Sequence, residues 1–148
     1  MTDYLLDTNI VSASSPTKSA NEHHLLRWIE KRSVSIHLSA ITVAEIAAGA
    51  AKLRREQPGQ RARGLADWLD ALIDIYGDRI LPVDVETARR AGEFVDVAKS
   101  LGHQPGLADA TIAATASLRG FTVVTRNIRH FQVFGVPLIN PFDEAPTP

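Results

Sequence analysis

At 148 residues the chain is long enough for one domain to bury a core without staples. Hydrophobic residues at 45% against 22% charged exclude a disordered chain, and the lack of cysteine excludes disulfides and thiolate metal sites, so any metal must take oxygen or imidazole ligands. The formal net charge of -1 selects no partner, because a local basic patch can sit on a nearly neutral protein. No apolar run approaches the roughly 18 residues of a membrane span. Asp3 precedes any basic leader and Leu5-Leu6 is too short for a signal core, so the expectation is a cytoplasmic protein.

In chain order, residues 3–7 predict a short buried strand. It is closed by Asp7-Thr8-Asn9, which is good turn and capping chemistry. Asn21 is placed to cap a helix running to about Arg32, with Leu25, Leu26, Trp28 and Ile29 as its apolar positions. Val34 to Leu38 predicts a second strand. Ser39 then caps a helix through about Arg55, stopped near Pro58-Gly59. Leu65, Trp68, Leu69, Leu72, Ile73 and Tyr76 keep the spacing of an amphipathic helix that Gly77 ends, and that face reads as core or as a docking surface. Ile80 to Val83 predicts a third strand, and residues 85–101 a helix closed by Gly102. After a GHQPG loop comes a helix from about Leu107 to Arg119, closed by Gly120. Phe121 to Thr125 predicts a fourth strand and Val136–Ile139 a fifth. Residues 1–142 read as a single domain, and 143–148 as a frayed, Pro-rich tail.

Strands alternating with helices indicate an α/β domain around a mostly parallel sheet of about five strands. Right-handed crossovers place helices on both faces, and ligands bind at the edge where strands end and helices begin. Three carboxylates fall at that edge, each alone in an apolar stretch. Asp7 is the only charge between Asp3 and Lys18, Glu45 from Ser33 to Ala51, and Asp109 from Gln104 to Leu118. Each has an ordinary alternative. Asp7 suits a turn, Asp109 suits a helix N-terminus, and Glu45 suits a wet rim. However, Ile41, Ala44, Glu45 and Ala48 share helical spacing, which puts Glu45 in a buried stripe. Like charges in one place repel unless a divalent cation holds them. Hard oxygen donors point to Mg²⁺ or Mn²⁺, and phosphodiester hydrolysis is the natural use.

Four segments, LLDTN, TVAE, LADATIAATA and VVTRNIRHF, together resemble PIN-domain ribonucleases, and in particular the VapC-type toxins of bacterial type II toxin–antitoxin pairs. The resemblance spans nearly the whole chain in order. It implies a PIN-like α/β/α sandwich and a Mg²⁺- or Mn²⁺-dependent endoribonuclease acting on structured RNA such as tRNA or rRNA. It also implies a homodimer, neutralised by a VapB-like antitoxin wrapped into a groove of the helices, with Trp28 and Trp68 available to that interface or to the core. By motif, Asp7, Glu45 and Asp109 are the core acids, Thr8 and Asn9 orient Asp7, and Thr125 lines the pocket. Many relatives carry a fourth acid where this chain has Asn127 or His130. Asn127 can accept a hydrogen bond from water, while His130 can donate to phosphate or pack beside Phe131, the latter being preferred.

Basic residues supply RNA-contact candidates. Arg126 and Arg129 lie near the expected pocket, and Lys52, Arg54 and Arg55 lie in the stretch 52–63 with Arg61 and Arg63. Bases at a helix C-terminus also simply suit its dipole. Two rivals to the nuclease remain. One is a catalytically silent PIN-like module that binds RNA or a partner. The other is an acidic α/β phosphatase or receiver domain, disfavoured because Asn9 replaces the second acid of an Asp-x-Asp pair and no acidic pair precedes the first helix.

Overall fold

The computed structural model describes residues 1–16 and 22–143. Five strands are found there: β1 (Tyr4–Leu6), β2 (Ile36–Ser39), β3 (Ile80–Leu81), β4 (Thr122–Val124) and β5 (Leu138–Ile139). Seven α-helices accompany them. These are α1 (Thr8–Ala13), α2 (His23–Lys31), α3 (Ala40–Glu56), α4 (Gln60–Tyr76), α5 (Val85–Ser100), α6 (Leu107–Arg119) and α7 (Ile128–Gln132). The strands form one sheet in the order β3-β2-β1-β4-β5, and every pairing is parallel, not merely most of them.

Strand alternation divides the core into two layers. Leu5 and its neighbour Val123 face the layer of α5, α6 and α7, with Ala91, Ala98, Ile112 and Phe131. Leu6 and Val124 face the opposite layer, with Ile10, Leu25, Trp28, Ile46, Leu69 and Leu72. Trp28 is therefore a core residue, and Trp68 packs partly buried against the same cluster. In α6 an unbroken run from Ala110 to Ala116 is buried, because the helix is covered by the sheet on one side and by α5 on the other. Its alanines allow that close approach. The hydroxyls of Thr111 and Thr115 donate to the carbonyls of Leu107 and Thr111 at 2.7 and 3.1 Å, so neither is left unsatisfied.

Several expectations need correction. The Asp7-Thr8-Asn9 cluster opens the short helix α1 instead of a plain turn, and α7 was not foreseen. Helix α4 starts at Gln60, five residues before the amphipathic pattern becomes visible, so Arg61 and Arg63 are helical. Ile73, assigned to the apolar face, is exposed. A 3₁₀ turn at Ser33–Ser35 delays β2. Ser39 caps α3 as expected, its Oγ accepting the Ile41 amide at 3.1 Å. Asn21 lies outside the described residues, as do positions 144–148 of the tail.

The topology fixes where a ligand fits. From β1 the chain moves through β2 to β3, and then lays β4 and β5 on the other side of β1. A crevice opens at the carboxyl edge of such a switch point. Asp7 follows β1 and Thr125 follows β4, so these two side chains sit at its two lips.

Candidate active site

Asp7 is almost fully buried, at 2% exposure. It is the N-cap of α1, where Oδ1 accepts the Ile10 amide at 2.8 Å. Across the crevice the Thr125 hydroxyl donates to Oδ2 at 2.5 Å, and Thr125 Oγ1 accepts the Asn127 amide at 2.9 Å. The carboxylate is thus fixed by groups from both sides of the switch point. Burial pushes its pKa above the usual carboxylate range. The Thr125 hydroxyl and the Ile10 amide pull it back, the Asp109 charge pushes it up again, and the Asn9 amide lowers it.

Asp109 stands in the first turn of α6, half-buried. Its carboxyl is also raised, by burial first and by the Glu45 charge second, with His130 opposing both. Asp109 thus links the group, raised by the Glu45 charge and itself raising Asp7. The His130 Nδ1 lies 3.7 Å from Asp109 Oδ2, with the histidine side chain 71% exposed. The expectation that His130 packs beside Phe131 is thus wrong. Phe131 enters the core and His130 faces the acids.

Glu45 was placed in a buried stripe, and the structure moves it out. The buried positions of α3 are Thr42, Ile46 and Ala50, whereas Ala44, Glu45 and Ala48 are exposed. An alanine-rich helix does not mark its inner face by hydrophobicity alone. Thr8 Oγ1 nevertheless donates to Glu45 Oε1 at 2.5 Å and lies 3.0 Å from the Thr42 hydroxyl, which is fully buried. With the Thr8 proton committed to Glu45, Thr42 is the donor to Thr8. Thr8 therefore orients Glu45, not Asp7. The side chain of Asn9 makes no hydrogen bond to Asp7 either, and only its backbone amide acts there. Thr42 was missed by sequence reading, because its role depends on Thr8, 34 residues away in the chain.

The basic candidates separate into two groups. Arg126 is held beside the crevice, 3.3 Å from Glu22 and stacked 3.9 Å over the Phe142 ring. Arg129 is exposed on α7. Lys52, Arg54 and Arg55 are exposed on the last turns of α3, seven to ten residues past Glu45 and so about 10–15 Å further along the helix axis. They do not join the acid group.

Among the described residues no three His, Asp or Glu side chains form a ready-made metal cage. The donors still fit a hard cation. Asp7, Glu45 and Asp109 offer oxygen only, from three different elements, and the Asp109 charge raises Asp7 as the Glu45 charge raises Asp109. Mg²⁺ keeps several waters and takes one or two carboxylates directly, which suits an open group of this kind.

An all-parallel α/β sheet carrying clustered acids at its switch point defines the class of the molecule, and the comparisons name the family. Residues 4–135 match the PIN domain model, and the chain belongs to the PIN domain family. It is 35% identical over 141 residues to the plasmid stability protein StbB of Pseudomonas syringae pv. tomato, covering 94% of this chain and 98% of that protein. It is 34% identical to the VapC ribonuclease Y4jK of Sinorhizobium fredii, covering 95% and 99%. Among solved structures, FitAcB from Neisseria gonorrhoeae superposes with a TM-score of 0.80 at 32% identity, over 95% of this chain and 99% of that one. The resemblance seen in the four motifs and the expected sandwich are both borne out. No described helix is long and apolar enough to cross a membrane.

Proposed function

We propose that the protein is a metal-dependent endoribonuclease of the toxin type. The observation that carries this reading is the fixed Asp7, held by Thr125 and Ile10 across the switch point and electrostatically coupled through Asp109 to Glu45. Family membership and the relatives' names, a VapC ribonuclease and the toxin FitB, support the same class.

Asp7 and Asp109 would hold Mg²⁺ or Mn²⁺. The cation supplies charge neutralisation for phosphate oxygens and acidifies water. The protein's own groups do the rest. Thr125 keeps one Asp7 oxygen aimed into the crevice, and Ile10 keeps the other anchored in α1. Glu45, with one oxygen occupied by Thr8, keeps its second for positioning the attacking water and taking its proton. Asn127, exposed at the rim, is available as a polar acceptor for water. Water attacks phosphorus as the P–O bond to the leaving ribose oxygen breaks, and that oxygen takes up a proton from solvent.

Structured RNA such as tRNA or rRNA is the substrate class, with Arg126 and Arg129 near the crevice as contacts and Lys52, Arg54 and Arg55 as a remote patch. The protein works as a homodimer in the cytoplasm and is neutralised by an antitoxin. That partner reading is supported by likeness to the FitAB complex bound to a DNA fragment, at TM-score 0.82 and 31% identity. Purified protein is expected to cleave RNA with Mg²⁺ or Mn²⁺, to stop with EDTA, and to lose at least 100-fold activity in Asp7→Asn. RNA binding by folded wild type without cleavage under any divalent ion would instead favour the silent binding module.

A further inference from the structure

Two concavities flank the acids. The smaller, of about 80 Å³, is lined by His103, Gln104, Pro105, Asp109, His130 and Val133. The larger, of about 200 Å³, is lined by Asn9, Ile10, Ala13, Arg126 and Asn127. The larger one is one residue removed from Asp7. Ile10 donates to one Asp7 oxygen, and the Asn127 amide reaches the hydroxyl that donates to the other. A polynucleotide whose phosphate lies at the acids therefore has this cleft within reach of a neighbouring nucleotide.

Resting on the ribonuclease reading, we propose that this cleft is a nucleobase subsite, admitting one purine of unpaired RNA beside the cleaved phosphate. Its lining has the chemistry of base recognition rather than phosphate binding. The Arg126 charge is already balanced by Glu22 at 3.3 Å, and its guanidinium carbon sits over the Phe142 ring, 3.9 Å from its centre. A planar, pre-ordered, compensated guanidinium suits the face or edge of a base better than a loose phosphate contact. Asn9 and Asn127 each bring a carboxamide, a donor and an acceptor together, and neither side chain is spent on a hydrogen bond within the described residues. Ile10 and Ala13 give the cleft apolar walls. Arginine pairs with O6 and N7 of guanine, and asparagine with N6 and N7 of adenine. Both use the N7 edge, which pyrimidines lack.

The test is sequencing of RNA ends produced from a randomised oligoribonucleotide pool by wild type, Arg126→Ala and Ala13→Leu, each checked for folding by its thermal melt. Arg126→Ala removes the planar donor, and Ala13→Leu fills the cleft without touching an acid. Wild type is expected to favour purines over pyrimidines by at least ten to one at one position beside the cut. Both variants should flatten that preference severalfold while still cutting, and a misfolded Arg126→Ala leaves Ala13→Leu to decide. Cutting without purine preference, or preference unchanged in the folded variants, overturns the base cleft alone. A folded wild type that cuts neither this pool nor total cellular RNA with Mg²⁺ or Mn²⁺ overturns the ribonuclease reading, and the subsite with it.

Discussion

Asp7 and Asp109 must ionise against burial and against neighbouring acids, and this has a consequence for stability. A raised folded-state pKa means that the folded protein holds the proton more tightly than the unfolded chain does. Stability therefore falls as pH climbs from the ordinary carboxylate range through the raised value, and stays lower above it. Asp7→Asn and Asp109→Asn remove that penalty. Each is expected to melt higher than wild type at pH 7, by about 2–4 °C for every kcal/mol relieved in a domain of this size. The advantage should vanish near about pH 3, where the native carboxyls are protonated. Thermal melts across pH measure it, and a variant that melts lower than wild type at pH 7 contradicts it. Thr125 is a positioning residue, since it reaches the chemistry only through Asp7. Thr125→Val is expected to lower cleavage by roughly 10–100-fold, the usual cost of losing an orienting partner, with Thr125→Ser restoring most of it.

Helix α3 shows how one element serves both fold and site. Ile46 points into the core at 6% exposure, while its neighbour Glu45 lies on the outer face. Ile46→Ala should cost about 2–4 kcal/mol by opening a cavity, and Glu45→Gln under about 0.5 kcal/mol. Urea titrations compare them, and equal losses would contradict the assignment of faces. The same helix marks what was legible in the sequence and what was not. Its Ser39 cap and its end near Pro58 could be read because they are local backbone chemistry. Its inner face could not be read, because alanine is indifferent to burial and Thr42 looks polar until its partner Thr8, 34 residues away in the chain, is known. Helices α1 and α7 span six and five residues, too short for a hydrophobic period to show. The lone acids were legible from isolation and topology, whereas their hydrogen-bond partners depend on tertiary contacts.

At the scale of the molecule, a parallel sheet with a switch point concentrates its chemistry on one edge, and the order of β1 and β4 explains why residues 118 positions apart, Asp7 and Thr125, form one unit. Because three acids gather there without a described cage, cation binding should stabilise the whole domain. Divalent ion at about 100 times its dissociation constant contributes about 2.7 kcal/mol. A rise in Tm with Mn²⁺ is expected for wild type and not for an Asp7→Asn, Asp109→Asn double variant, and equal shifts in both would place the ion elsewhere. The most direct test of the central claim is cleavage of RNA by wild type and Asp7→Asn prepared identically, with Mg²⁺ or Mn²⁺ and with EDTA, the new ends mapped by sequencing. The account predicts discrete internal cuts by wild type only when the metal is present, and none by folded Asp7→Asn. The same cuts from Asp7→Asn, or from wild type in EDTA, would contradict it.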